Sequence, residues 1–437
     1  MLSVDEAIAA IVRAVQPLPA LAVELADALG HVLAEDIVSD ADSPPFDKSL
    51  MDGFAIRSAD LSPAGAALHV IEELTAGRVA RRRVGEGEAI RIMTGAPIPS
   101  GADAVVPVEH SECDAATAIV RLGANVRPGA NILRQGAALR RGERVLAAGR
   151  LLRPQELGAL AELGRHRVSV RSRPRVGVLA TGDELVPVSS TPGPGQIRNS
   201  NETMLVAQLR QAGAEPVPLG IARDRRDELR AKIAAGLECD MLLLSGGVSE
   251  GQLDLVPSEL EAAGVRPVFH KVHLKPGKPV WFGVFVGRSS TPSESREDST
   301  PSEAGGTSAS GSDAGGRSGT PSYGVGKPVF GLPGNPVSSM VCFELFARTS
   351  LRRLTGAEPA APQLLQARLA QEHLARGDRP TYHPASLACE GGTWIVRPVR
   401  WQGSADLRAT VEANALALFP PGDRTWPAGT LVDVLPW

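Results

Sequence analysis

The chain has 437 residues, 43% of them hydrophobic and 22% charged, with a formal net charge of −3, ordinary globular material long enough for roughly two to four domains. That balance gives no global attraction to nucleic acid or an anionic membrane, and no apolar run approaches the roughly 18 residues that a membrane span needs. Cys113, Cys239, Cys342 and Cys389 are scattered and form no C-x-x-C pair, which argues against structural zinc and a disulfide framework and fits a reducing cytoplasm.

In chain order, MLSVDEAIAAIVRAV carries Asp5 and Glu6 where a secretion signal would be positive, so it reads as a helix opened by a Ser3-x-x-Glu6 capping box. A second helix is expected in LAVELADALGHVLAEDI. DSPPFDKSLMDGFAIR then passes from turn chemistry into a strand. The short β-like runs AALHVIEEL, EAIRIM, DAVVPVEH and AIVRL imply a small β-rich module. PQELGALAELG returns to helical spacing and HRVSVR to strand, so the β module reads as an insertion between segments that pack together. From Arg175 the pattern becomes strand–helix–strand: RVGVLATGDEL, NETMLVAQLRQAG, AEPVPLGIA, DRRDELRAKIAAG, DMLLLS. Such alternation implies a parallel, doubly wound sheet. Residues 288–326, rich in Ser, Gly, Thr and Pro, are expected to be a disordered excursion. Residues 336–353 read as a helix and 362–437 as a last β-rich piece.

Doubly wound sheets bind ligands outside the carboxyl ends of their strands. TGDEL, SGGVSEGQLD and LPGNPVSS all stand there. Gly246 and Gly247 let backbone amides approach a ligand, and Ser249 adds a hydrogen-bond donor. Asp254 is either a charge on the next helix's dipole or a metal ligand. Of 46 basic residues only six are lysine, and Lys271, Lys275 and Lys278 fall within KVHLKPGK. A compact ammonium on a Pro- and Gly-stiffened turn suits a small oxyanion. Asn335 sits on the rigid turn between Pro333 and Pro336, and Asp52, Asp183, Glu184 and Asp224 lie in further loops. Carboxylates, lysines and bare amides at one sheet edge point to a phosphate-bearing ligand with Mg²⁺.

Six motifs stand in one order: SLMDGFAIR, RIMTGAPIPSGADAVVPVE, ATGDEL, LSGGVS, HLKPGKPV and GLPGNPVSS. Together they resemble the molybdopterin molybdenumtransferase family, which includes the C-terminal domain of gephyrin, over essentially the whole chain except 288–326. The resemblance implies a multidomain α/β homodimer. Its parts would be a helical and extended dimerisation domain (1–40 and 142–173), an inserted β-rich domain (41–141), a doubly wound molybdopterin-binding domain (174–355) and a C-terminal small β-barrel (362–437). It implies Mg²⁺-dependent release of AMP from adenylylated molybdopterin as molybdenum is inserted from molybdate, with a molybdopterin adenylyltransferase and molybdoenzyme acceptors as partners. It puts catalytic roles on Asp52, Glu184, Asp224, Asp254, Lys271 and Lys275. Metal binding would fall to Asp183, Glu184 and Asp254. Substrate contacts would come from Thr94, Gly246, Gly247, Ser249, Lys278, Pro333, Asn335, Pro336 and Ser338, with Arg379 and Ser404 on the oxyanion. The chain departs from the family pattern at Glu250, Gln252, Asn199, Ala137 and Ala138. A non-catalytic cofactor carrier or scaffold is the alternative reading.

Overall fold

A computed structural model describes residues 1–114, 116–123, 126–248, 255–287 and 326–437. The expectations placed on 288–325, and on Ser249, Glu250, Gln252 and Asp254, lie outside them.

The first helix, Val4–Ala14, forms as its sequence dictates: the Ser3 hydroxyl accepts the Glu6 amide and the Glu6 carboxylate accepts the Ser3 amide. Its buried face, including Ala7, Ala10 and Ile11, joins the same core as Phe343, Phe346 and Leu351 of the chain's later helical stretch. The second expected helix does not form. Ala20–Glu24 is a strand paired antiparallel with Arg167–Arg171. Pro17 and Pro19 end the first helix's run, and pairing with a distant strand overrides a helical pattern too short to hold itself. Ile37–Val38 pairs with Arg144–Leu146, and Leu33, Ile37, Leu152, Leu160, Val168 and Val170 form one small core. Residues 20–38 and 144–171 are thus packed together, although about a hundred residues lie between them.

Between them lies a six-stranded sheet in the order Ala104–Pro107, Gly53–Ile56, Glu88–Ile92, Ala66–Leu74, Ile119–Leu122, Ser111–Asp114. Only one of its pairings, Ala66–Leu74 with Glu88–Ile92, is parallel. The loop holding Ala137 and Ala138 stands on carboxylates from elsewhere. Asp47 accepts from Arg134 and the Gln135 amide, and Asp42 accepts from the Gln135 side chain and the Arg141 amide.

A second six-stranded sheet runs Glu215–Ala222, Arg175–Thr181, Met241–Ser245, Lys327–Leu332, Trp281–Phe285, Val265–His270. The first four strands are parallel, as expected of a doubly wound sheet; Trp281–Phe285 alone runs the other way, antiparallel to both its neighbours. The connection 271–280 contains no helix and is shorter than the dozen or more residues a parallel crossover requires, so it closes as a hairpin. That reversal carries the lysine loop to the carboxyl edge of the parallel strands, because Trp281 stands opposite Gly331. The late helical stretch runs from Pro336 to Thr355 through a π-helical turn at Phe343–Ala347. Five strands, beginning at Leu365–Leu369 and ending at Leu431–Pro436, close the C-terminal barrel. Among the described residues no helix is long and apolar enough to cross a membrane.

Helix Pro154–Glu162 is fixed by Glu156, whose side chain is 3% exposed and takes hydrogen bonds from the Arg150 and Arg153 guanidiniums and the Arg153 amide. The Arg153 guanidinium, helped by Arg150, holds its carboxyl down to about 2. The folded value lies below the unfolded one, so this stabilisation is complete above about pH 4.5 and lost as the pH falls through about 2. Glu156→Gln is therefore expected to cost about 2 kcal/mol at pH 7. Thermal unfolding across pH should show the gap between wild type and variant closing as the pH nears 2.

Candidate active site

The carboxyl edge of the second sheet faces the barrel across a cleft of about 1390 Å³. Its floor is the end of the parallel strands. Strand Met241–Ser245 is buried throughout and stops at Gly246, whose amide donates to the Leu332 carbonyl at 3.0 Å. Gly246 has φ +100°, and a Cβ there would lie 2.5 Å from the Thr181 carbonyl oxygen, so only glycine makes the turn. Next to it Thr181, Ser245 and Asn201 offer polar, uncharged groups, and Glu184, Arg198 and Asp224 line the same side of the cleft. Asn201 donates its Nδ2 to Ser245 Oγ at 2.8 Å and to the Gly334 carbonyl at 2.7 Å. The carbonyl can only accept, which fixes the amide's orientation. Among the described residues, Asn201 Oδ1 and the buried Thr181 Oγ1 are left without hydrogen-bond partners.

The cationic corner lies across from this floor. Lys271 takes a positive φ of 73° and donates its amide to Val280, and Val272 donates to Lys278, closing the loop on itself. Gly277 approaches the helix behind so closely that a Cβ would sit 2.5 Å from Cys342 Sγ. The loop is then fastened to the barrel. The Lys275 amide donates to Pro380, the Tyr382 amide donates back to Lys275, and Arg379 Nη1 reaches the Leu274 carbonyl at 3.2 Å. A second tie joins the LPGNP turn to the barrel: Asn335 Nδ2 donates to Ser404 Oγ at 2.9 Å and the Val337 amide to the Ser404 carbonyl at 3.0 Å.

Glu184, Asp224, Gly246, Gly247, Lys275, Lys278, Pro333, Asn335, Pro336, Ser338, Arg379 and Ser404 all line this cleft. Asp183 supports the wall from behind, accepting the Asp224 amide at 3.2 Å, and Lys271 forms the loop's base. Asp52 and Thr94 lie on the inserted sheet, outside the cleft's lining. There Asp52 Oδ1 accepts both the Thr94 amide and hydroxyl at 2.7 Å, and these bonds hold its carboxyl below the usual range. Asn199 acts as a helix cap: its side chain accepts the Glu202 amide at the start of helix Ser200–Gln211.

Sequence reading missed Thr181, Asn201, Arg376, His383 and Trp401, which also line the cleft. Thr181 stood within a quoted motif, and its place at the end of a buried strand was the available signal; the barrel residues gave none. His383 Nε2 lies 2.9 Å from the Val399 carbonyl, so the neutral ring donates there. Burial holds its pKa down to about 4, which leaves the ring uncharged at neutral pH.

Among the described residues no group of three or more His, Cys, Asp or Glu could hold a metal by itself. Glu184 and Asp224 nevertheless face the cleft, and one or two carboxylates completed by substrate phosphate and water are Mg²⁺'s ordinary donor set.

Family models match three successive stretches: "MoeA N-terminal region (domain I and II)" over residues 2–164, "Probable molybdopterin binding domain" over 177–353, and "MoeA C-terminal region (domain IV)" over 366–437. A molybdopterin molybdenumtransferase of Staphylococcus aureus is 33% identical over 440 residues, covering 99% of this chain and 94% of the relative. One of Staphylococcus epidermidis is 32% identical over 442 residues, covering 99% and 95%. The crystal structure of the molybdopterin biosynthesis MoeA protein from Pyrococcus horikoshii OT3 superposes with a TM-score of 0.79 at 29% identity, covering 100% of both chains. With sequence and architecture matching from end to end, the chain belongs to the molybdopterin molybdenumtransferase, or MoeA, family.

Proposed function

We propose that the protein is a molybdopterin molybdenumtransferase, which takes adenylylated molybdopterin and molybdate, releases AMP in a Mg²⁺-dependent step and yields molybdenum cofactor. The observation that carries this reading is the convergence in one cleft of a neutral hydrogen-bonding floor, a lysine and arginine corner, and two carboxylates. Lys275, Lys278 and Arg379, with the Ser404 hydroxyl, hold molybdate by charge and hydrogen bonding. The glycine turn with Thr181 and Asn201 takes the flat, polar part of the ligand. Glu184 and Asp224 would hold Mg²⁺, which when bound offsets negative charge on the adenylate phosphate. The barrel covers the corner, with the uncharged His383 ring on the same cleft. The cytoplasm, where the adenylylated substrate would be supplied by an adenylyltransferase and the product passed to molybdoenzymes, is the setting this reading requires.

Incubating the purified protein with adenylylated molybdopterin, Mg²⁺ and molybdate should release AMP, and chelating the cation should stop it. Absence of AMP under these conditions would remove the enzymatic reading. Lys275→Arg keeps the charge but replaces a point donor by a planar fork. Molybdate affinity measured by calorimetry should fall by about tenfold with the fold unchanged.

The homodimer is part of the same proposal. Asp52 and its Thr94 partner are built into a defined turn, yet they stand apart from the cleft of their own chain, beside the exposed Phe46, Leu50 and Met51. A second copy bringing that turn to the cleft accounts for both facts. Asp52→Ala and Lys275→Ala subunits, each inactive alone, should recover about a quarter of wild-type turnover when unfolded and refolded as an equal mixture, since about half the dimers then carry one intact site. No recovery would place Asp52's action within its own chain.

A further inference from the structure

The barrel carries a two-stranded ribbon beside its closed wall, His373–Ala375 paired antiparallel with Arg424–Trp426. The turn that leaves the first strand, Arg376 to Arg379, reaches the cleft; the turn that enters the second, ending at Asp423, does not line it. Gly377 joins the two turns. Its amide donates to Asp423 Oδ1 at 3.0 Å, and its carbonyl accepts the Gly422 amide at 2.7 Å. On either side of Gly377, the first turn meets the lysine loop. The Arg376 carbonyl accepts from Lys275 Nζ at 3.2 Å, Arg379 Nη1 reaches the Leu274 carbonyl, and Pro380 accepts the Lys275 amide.

We infer that Asp423 is a positioning residue for the oxyanion corner: from outside the cleft it fixes the turn that docks the Lys275 ammonium and aims Arg379. The inference rests on the reading of Lys275 and Arg379 as anion holders and adds a residue that touches neither ligand nor cleft. Asp423 is itself exposed, so its carboxylate is not needed to fill the barrel core. Its side chain supplies one of the two hydrogen bonds at Gly377. Removing that bond gives the amide to water and leaves Gly377 held through its carbonyl alone, which loosens the Arg376 carbonyl against the Lys275 ammonium and strains the aim of Arg379 on the other side of Gly377. A residue that merely stabilised the ribbon would change melting and leave anion affinity alone.

The test is calorimetric titration of molybdate into the full-length protein. Asp423→Ala should bind about tenfold more weakly while melting within about 2 °C of wild type. Asp423→Asn, which keeps an oxygen for the Gly377 amide, should bind within about twofold of wild type. The Asp423→Ala, Lys275→Ala double variant should lose less than the sum of the two single losses, because Asp423 acts in part through Lys275. Wild-type affinity in Asp423→Ala, equal weakness in Asp423→Asn, or additive losses would each overturn the inference. Should Asp423→Ala not fold, Asp423→Glu decides: its displaced oxygen weakens binding if position matters, and wild-type binding overturns the claim. Lys275→Ala separates the two levels. If it binds molybdate normally, the corner has been misread and Asp423's role falls with it. If it loses binding while Asp423→Ala keeps it, only the role of Asp423 falls.

Discussion

The arrangement of the cleft depends on the backbone of one residue. Lys275 is paired as in a strand with the barrel, its amide on Pro380 and its carbonyl on Tyr382, while the loop it sits in closes a hairpin of the α/β sheet. Two units that share an apolar core through Tyr382, Leu416 and Leu435 are also hydrogen-bonded at the residue whose side chain carries the charge. Ser404 makes the second tie, to the LPGNP turn. With both ties at cationic or polar cleft residues, any motion between sheet and barrel would be felt first at the anion corner.

Charge is divided across the cleft in a way that answers what the bare glycine turn is for. A phosphate cradle would pair those amides with nearby cations. Here the turn borders Thr181, Ser245 and Asn201, which offer hydrogen bonds without charge; of the cations lining the cleft, Arg198 stands on the sheet side and Lys275, Lys278, Arg376 and Arg379 belong to the loop and barrel. Such a floor suits a heterocycle bearing both donors and acceptors, and the opposite corner suits an oxyanion. Burial keeps His383 neutral at physiological pH, so its ring adds no charge to the cleft.

Most of the α/β unit was legible because its signals are local. Val176 to Leu179 and Met241 to Leu244 are buried apolar runs, and helix Arg226–Leu237 shows its period between them. The segment Ala20–Glu24 was misread because its partner, Arg167–Arg171, lies far away in sequence and nothing local announces it. The reversed strand Trp281–Phe285 was missed for a related reason: strand direction follows from connection length, and the lysine loop was legible for its charge rather than its span. In the site, residues with distinctive chemistry (Lys275, Asn335, Glu184) were visible. Asn201 was not, since its meaning lies in two hydrogen bonds that leave one oxygen unpartnered. The barrel's contribution from Arg376 and Trp401 depends on a docking that no periodicity encodes.

The central claim is that the corner between sheet and barrel seats a tetrahedral oxyanion. A crystal of the protein grown with tungstate, with diffraction recorded at the tungsten absorption edge, tests it most directly. The account predicts one strong anomalous peak among Lys275, Lys278, Arg379 and Ser404. A peak at the glycine turn instead, or none in the cleft with tungstate bound elsewhere, would contradict it.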